Sequence, residues 1–106
     1  MARTYKVSVM YPNQDGAKFD FDYYRNTHMK LVMDNLKPFG LQRTGVERGI
    51  SGGAGQKAPY ICIGHLIFDR PDGYDEGVKK AGPVLRADIA NFTDVTPVRM
   101  ISEVLD

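Results

Sequence analysis

His28 is the side chain of this 106-residue chain whose type and position are best suited to chemistry. An imidazole titrates near neutral pH, so it can accept or donate a proton as a general base or acid. His28 lies one helical turn after Tyr24 and one turn before Leu31 and Val32, on the apolar stripe of a predicted helix. The spacing leaves two interpretations open: an acid–base residue in a pocket, or a core histidine that only packs against a sheet.

His65, the second of the two histidines, lies in the middle of an apolar run, where Ile63 and Ile67 share its face. If that face lines a pocket, His65 is a second polar group inside it. If the face meets a helix, His65 is a core residue. A register shift of one residue exchanges the two faces of a strand, so the sequence leaves both interpretations open.

Other patterns of reactive residues predict no further chemistry. The two histidines are far apart, with no paired cysteines and no carboxylate at ligand spacing, so we expect no metal site. The glycine-rich segment 49–55 is followed by a strand rather than a helix, which favours a hairpin loop over a phosphate-binding loop. Cys62 lies in an apolar run with no activating base nearby, which is typical of a small buried hydrophobic residue.

Length, composition and charge indicate a single ordinary globular domain over residues 1–106. Hydrophobic residues make up 42% and charged residues 25% of the chain, and the net charge is +1. No basic stripe is present, so a nucleic-acid partner is not expected. No segment approaches the roughly 18 apolar residues of a membrane span, and the N-terminus lacks the pattern of a signal peptide. With a single cysteine, these features predict a cytoplasmic protein.

The hydrophobic period changes along the chain in a way that predicts alternating strands and helices. The first half of the chain predicts a strand over 5–11, a helix from an Asp20 N-cap to Lys37, and a weak strand over 41–49. The second half predicts a strong strand over 59–68, a helix that starts at 69–72, and a last strand over 96–104. The second helix must break or kink at Gly82–Pro83 and resume over 84–90. The order βαββαβ is typical of a ferredoxin-like α+β sandwich, with both helices on one face of an antiparallel sheet.

The strand at 59–68 is apolar on both faces, which predicts a central position with cover on both sides. Two helices cover only one face of a ferredoxin-like sheet. A second copy related by a two-fold axis is the simplest cover for the other face. Two facing sheets would enclose a space that could serve as a small-molecule pocket.

The segment Phe19–Val32 resembles the signature helix of the EthD family, which is named for a protein linked to bacterial ether degradation. The segments Pro59–Leu66 and Asn91–Val98 are similar to later segments of the same family, in the same order. Lys30 departs from the pattern, because the family often has proline after the His-Met pair. The resemblance implies a homodimeric α+β barrel, within a superfamily that includes cofactor-free monooxygenases, cyclases, an isomerase and haem enzymes.

Together, the residues and the resemblance predict a small homodimeric protein that acts on, or assists turnover of, a small apolar organic molecule in catabolism. His28 is the predicted general acid or base, and Tyr24, His65, Asn91 and Phe92 are predicted to shape the pocket. No metal or cofactor is expected. The family association favours oxidoreductase chemistry, while isomerase, lyase or cyclase chemistry fits equally well. The alternatives are a non-catalytic carrier that delivers a small apolar ligand to a partner enzyme and, less favoured, a haem-binding relative.

Overall fold

The computed structural model describes residues 3–106 of the chain. Its first helical segment consists of α1, a π-helical stretch and α2 in direct succession, followed by a short 3-10 turn. In chain order the elements are β1 (Thr4–Pro12), α1 (Phe21–Tyr23), the π-helical stretch (Tyr24–His28), α2 (Met29–Leu36), the 3-10 turn (Lys37–Phe39), β2 (Leu41–Arg48), β3 (Tyr60–Phe68), α3 (Gly73–Ile89) and β4 (Val98–Val104).

The four strands form one antiparallel sheet in the order β2-β3-β1-β4. This order and the placement of the helices confirm the predicted ferredoxin-like α+β sandwich. The strand predicted to be central, β3, lies between β2 and β1. Alternate residues of the two central strands are buried in the core shared with the helices, among them Val7, Cys62, Leu66 and Phe68.

The first helical segment begins and ends with local signals that were visible in the sequence. The Asp20 carboxylate accepts a hydrogen bond from the Tyr23 backbone N–H at 3.0 Å, which confirms the predicted N-cap. The 3-10 turn ends at Gly40, whose φ of +97° is a left-handed conformation that suits glycine. The segment is therefore positioned by its ends as well as by its buried face.

Gly82–Pro83, where a break or a kink was predicted, does not break the last helix, because α3 runs through Pro83 as one helix of 17 residues. Proline inside a helix removes one backbone hydrogen bond and typically costs about 3 kcal/mol. Ala81 and Leu85, on either side of Pro83, are both buried against the core. Burial of apolar surface on both sides of the proline offsets the local cost, and tertiary packing overrides the backbone preference.

The sheet face turned away from the helices carries both apolar and polar side chains. His65 lies on this face in β3, between Ser8 of β1 and Gly45 of β2. On β4 of the same face, Val98 and Met100 are 50% and 53% exposed. No element within residues 3–106 covers this face. None of the helices in that range has both the length and the apolarity that a membrane-spanning segment requires.

Candidate functional site

The π-helical stretch places the rings of Tyr24 and His28 together on the buried side of the first helical segment. The Met29 backbone N–H donates to the Tyr24 carbonyl five residues earlier, which is the bond that widens this turn. The two rings stack with centroids 5.5 Å apart and planes inclined by 14°. Both side chains are buried. Short π-helical stretches are frequent at functional sites, and this one brings an imidazole and a phenol into contact.

Asp88, near the end of α3, holds the His28 ring from the opposite helix. The Asp88 Oδ2 atom lies 2.8 Å from His28 Nδ1. The other carboxylate oxygen, Oδ1, accepts hydrogen bonds from the Tyr23 hydroxyl at 2.6 Å and from the Asn91 amide at 2.9 Å. All of these groups lie within one small network, so the carboxylate and the ring it holds have a defined orientation.

The network sets the protonation state of both members of the pair. Burial raises the pKa of Asp88, but the hydrogen bonds donated by Tyr23, His28 and Asn91 together outweigh burial and hold that pKa below its usual value. Burial lowers the pKa of His28, and the neighbouring Asp88 carboxylate only partly opposes it. The imidazole is therefore neutral at pH 7 and the carboxylate is ionised.

The ionised Asp88 carboxylate can only accept a hydrogen bond, so His28 Nδ1 must carry the imidazole proton and donate it. His28 Nε2 is then unprotonated and has a free lone pair. No hydrogen-bond partner of Nε2 exists among the described residues. A neutral imidazole held in this tautomer by a carboxylate is suited to act as a general base.

His28 lines a cavity of about 160 Å³ between the helices and the sheet. Its wall is mostly apolar and aromatic, with two arginines. The lining residues other than His28 are Val9, Tyr11, Tyr24, Met29, Val32, Leu66, Tyr74, Val78, Gly82, Leu85, Arg86, Ile89 and Arg99. A cavity of comparable volume in an engineered protein core holds one benzene molecule.

Gly64 of β3 makes room for the Tyr24 ring against the sheet. A Cβ atom at Gly64 would come within 2.9 Å of Met29 Cε and 3.1 Å of Tyr24 Cζ, and closer still to the Tyr24 hydroxyl oxygen. Real Cβ atoms essentially never approach a neighbour this closely. The absence of a side chain at this strand position thus allows Tyr24 to lie in the wall of the cavity.

Of the four site residues predicted besides His28, the structure brings three close to the His28–Asp88 pair, in different roles. Tyr24 lines the cavity beside His28. Phe92 packs against the His28 ring at a centroid distance of 4.7 Å, outside the lining of the cavity. Asn91 contacts Asp88 rather than the cavity, so it orients the partner of His28.

His65 does not belong to the same cavity, because it lies on the opposite face of the sheet from His28. Its Nε2 is 2.5 Å from Glu47 Oε1, and its buried Nδ1 atom has no hydrogen-bond partner in the described part of the chain. The expected pocket between two facing sheets therefore cannot contain both histidines. The cavity next to His28 lies instead between sheet and helices of one chain.

Asp88 and the two arginines of the cavity were missed by reasoning from the sequence. Asp88 is 60 positions from His28, so no local spacing connects the two residues. One signal was available: an acidic residue in the last turn of a helix is unfavourable next to the negative end of the helix dipole. Asp88 occupies such a position in α3, which indicates that its role is not helix stability.

The residues around the cavity do not form a metal or haem site. Within residues 3–106, no group of three His, Cys, Asp or Glu side chains comes close enough to hold a metal ion. A cavity of about 160 Å³ is far smaller than a haem macrocycle. The geometry of this site therefore does not fit the haem-binding alternative.

Comparisons with known proteins agree with the fold. The EthD domain profile matches residues 12–96. The crystal structure of an EthD-like protein from Ralstonia eutropha JMP134 has 34% identity and a TM-score of 0.91, covering 100% of this chain and 96% of that one. An ethyl tert-butyl ether degradation (EthD) family protein from Bacillus halodurans C-125 has 21% identity and a TM-score of 0.68, with 97% and 99% coverage.

A more distant structure shares only the fold. SnoaB, a cofactor-independent oxygenase from Streptomyces nogalater, has 8% identity and a TM-score of 0.54, covering 100% of this chain and 96% of that one. No protein with curated annotation matches the sequence.

Fold and site together define a ferredoxin-like α+β protein in which a buried histidine pairs with a half-buried aspartate beside a small apolar cavity. The extent of the profile match and the 34% identity over the full chain then identify the family. This chain belongs to the EthD family.

Proposed function

We propose that this protein is an enzyme that moves a proton on a small, largely apolar organic molecule, with His28 as the general base and then the general acid. The observation that carries the proposal is the contact between the Asp88 carboxylate and Nδ1 of the His28 ring. Asp88 Oδ2 lies 2.8 Å from His28 Nδ1 and accepts its hydrogen bond. The unprotonated Nε2 is then the ring nitrogen that can accept a proton from a ligand in the adjoining cavity. A base in such a site typically contributes a factor of about 10²–10⁴ to a rate.

The state of His28 supports its assignment as a base at neutral pH. Its pKa lies below the usual histidine value because of burial, so the neutral, proton-accepting form predominates. Once protonated at Nε2, the imidazolium is stabilised by the Asp88 carboxylate, and it can return the proton to another atom of the substrate. Asn91 and the Tyr23 hydroxyl act as positioning groups, because they contact Asp88 and not the cavity.

The size and lining of the cavity support a substrate whose apolar part is about as large as one six-membered ring. Aliphatic side chains and the rings of Tyr11, Tyr24 and Tyr74 form most of the wall. Proton abstraction next to a carbonyl or from a phenol is chemistry that one base in an apolar cavity can perform without a metal. Such a step is common to isomerase, lyase, cyclase and cofactor-free oxygenase reactions.

Hydrogen–deuterium exchange into a weak carbon acid tests the proposal. Acetophenone in deuterated buffer is followed by ¹H NMR with wild type, His28→Gln and the matched control His65→Gln, whose histidine lies on the other face of the sheet. We expect wild type and His65→Gln to accelerate exchange of the methyl protons and His28→Gln to lose that acceleration by about 10²-fold or more. Equal exchange with His28→Gln would overturn the proposal, and tight binding without any acceleration would favour the carrier instead.

A second copy of the chain is part of the same proposal, as the cover of the sheet face that carries His65. Val98, Met100 and Val104 are between 37% and 53% exposed and lie along β4 on that face, and a contiguous patch of exposed apolar side chains is typical of an interface. A two-fold axis would bring the same surface of both copies together. Sedimentation at micromolar concentration should give about twice 11.9 kDa, and a monomer would refute this part of the proposal.

The proposed setting is small-molecule catabolism in the cytoplasm. The single cysteine, Cys62, is buried and free, which suits a reducing compartment. Because the cavity lies within one chain, each copy of a dimer would have its own site.

A further inference from the structure

We infer that the ligand of this cavity is an organic anion, a one-ring carboxylate whose charged group is bound by Arg86 and Arg99. The inference deepens the proposed function by naming the substrate class, and it rests on the same cavity. Its starting point is a contrast in the lining: the wall is apolar and aromatic apart from His28 and two guanidinium groups.

The two arginines reach the cavity from different elements. Arg86 belongs to α3, and its guanidinium lies over Gly82 of the same helix, so a Cβ at Gly82 would come within 2.7 Å of Arg86 Nη1. Arg99 belongs to β4 and pairs with Val9 of β1, which faces the helices and lines the cavity. A helix and an edge strand thus supply one positive charge each. Both arginines are exposed, so the charges lie at the solvent side of the cavity.

No acidic side chain neutralises these two charges within residues 3–106. Neither arginine has an ion pair or a side-chain hydrogen bond there, whereas Arg3 and Arg70 do. No Asp or Glu of that range lines the cavity. Asp88, the nearby carboxylate, already accepts hydrogen bonds at both oxygens. The cavity lining therefore carries two positive side chains whose N–H donors have no side-chain partner in that range, a combination that favours an anion from solution.

A carboxylate fits these donors better than a neutral polar group. A guanidinium presents N–H groups in a planar fork that matches the two oxygens of a carboxylate. Burial has the largest effect on the pKa of Tyr11, Tyr24 and His28, and the positive charge of Arg99 adds a smaller lowering effect on each of them. A bound carboxylate would then lie at the solvent side, with the apolar ring of the ligand directed towards His28.

Matched ligands with and without the charge test the inference. We propose calorimetric titration with 4-acetylbenzoate and 4-acetylbenzamide, which share the ring and the ketone and differ in the anionic group. For wild type we expect the benzoate to bind at least about tenfold more tightly, since hydrogen bonds to charged groups are worth this much or more. Arg86→Gln and Arg99→Gln should each reduce benzoate affinity by several-fold to about tenfold and leave benzamide affinity unchanged.

Lys80→Gln is the matched control, because Lys80 is an exposed cation of α3 that does not line the cavity. This substitution changes the net charge by the same amount as each arginine variant, and it should not change the affinity for either ligand. The inference would be overturned if wild type bound the two ligands with equal affinity or bound neither of them. It would also be overturned if Lys80→Gln lost as much benzoate affinity as the arginine variants.

The exchange assay separates this inference from the proposed function. If the amide undergoes exchange that depends on His28 while the two ligands bind equally, the base assignment stands and the anion assignment fails. If the benzoate binds through the arginines without any exchange that depends on His28, the anion assignment stands and the enzyme assignment fails.

Discussion

Gly64→Ala is expected to destabilise the protein by closing the space in which Tyr24 lies. The new Cβ would come within 2.9 Å of Met29 Cε and 3.1 Å of Tyr24 Cζ, and closer still to the Tyr24 hydroxyl oxygen. Both neighbours are buried, with 5% and 1% of their surface exposed, so neither can swing into solvent. Overpacking of this kind costs about 1–3 kcal/mol. For a domain of this size the loss corresponds to a Tm decrease of roughly 5–15 °C.

Urea denaturation measures the effect, with Gly45→Ala as the matched control. Gly45 lies on the neighbouring strand β2, where an added Cβ would meet only the His65 side chain at 3.8–3.9 Å, an ordinary contact. We expect its free energy of unfolding to stay within about 0.5 kcal/mol of wild type. The difference between the two glycine variants then reports the close approach of Tyr24 and Met29 rather than the general effect of alanine in a strand.

A double-mutant cycle shows which neighbour is responsible. Tyr24→Phe removes the hydroxyl oxygen, the atom nearest to the new Cβ. We expect the cost of Gly64→Ala to be smaller by about 1 kcal/mol in the Tyr24→Phe background than in wild type. The same cost in both backgrounds, or a cost as small as that of Gly45→Ala, would refute the argument that Gly64 is required by Tyr24.

Three further predictions concern the buried ionisable groups. Asp88→Asn should lower the free energy of unfolding by about 1.5–3 kcal/mol, because it replaces a charged acceptor of three hydrogen bonds, and ¹⁵N NMR should show His28 in a mixture of tautomers. The free energy of unfolding should decrease as the pH falls below about 6.5, which is the pKa of a histidine in an unfolded chain. The reason is that His28 has a lower pKa in the folded state, so the unfolded chain binds more protons in this range. Urea denaturation of wild type and His28→Asn at pH 7.5 and 5.5 checks this. If both proteins lost the same free energy of unfolding between the two pH values, the prediction would be contradicted. Burial raises the pKa of the Cys62 thiol to about 12, so an aromatic disulfide reagent at pH 8 should react only after unfolding, and rapid reaction of the native protein would show that the thiol is accessible.

Local signals were sufficient to predict the architecture. The change between a period of two and a period near 3.6 located the strands and the helices, since that period follows from the backbone geometry of each element. The Asp20 cap acts through residues within one turn, so it was also visible in the sequence. The position of Gly82–Pro83 shows the limit of such signals. The local rule predicted a break or a kink there, and the helix continues through Pro83 because Ala81 and Leu85 on either side of it are buried.

The candidate site was only partly predictable. The helical stripe placed His28 on a buried face, and the resemblance to the EthD family made it a candidate base. The partner that sets its tautomer, Asp88, was not predicted, because the contact joins two helices across 60 positions of sequence. The different surroundings of His28 and His65 could not be predicted either, because the register that separates the two faces of the sheet depends on pairing between strands.

The sequence by itself determined the order of the elements, the family and the choice of His28, because periodicity, caps and a signature segment act over short stretches of chain. Only the tertiary structure decided what His28 can do. It places an ionised Asp88 on one ring nitrogen and, among residues 3–106, leaves the other nitrogen without a hydrogen-bond partner beside a cavity lined by Arg86 and Arg99. Protonation state and electric potential depend on burial and on the distances between charges, and those exist only once the helices have packed on the sheet.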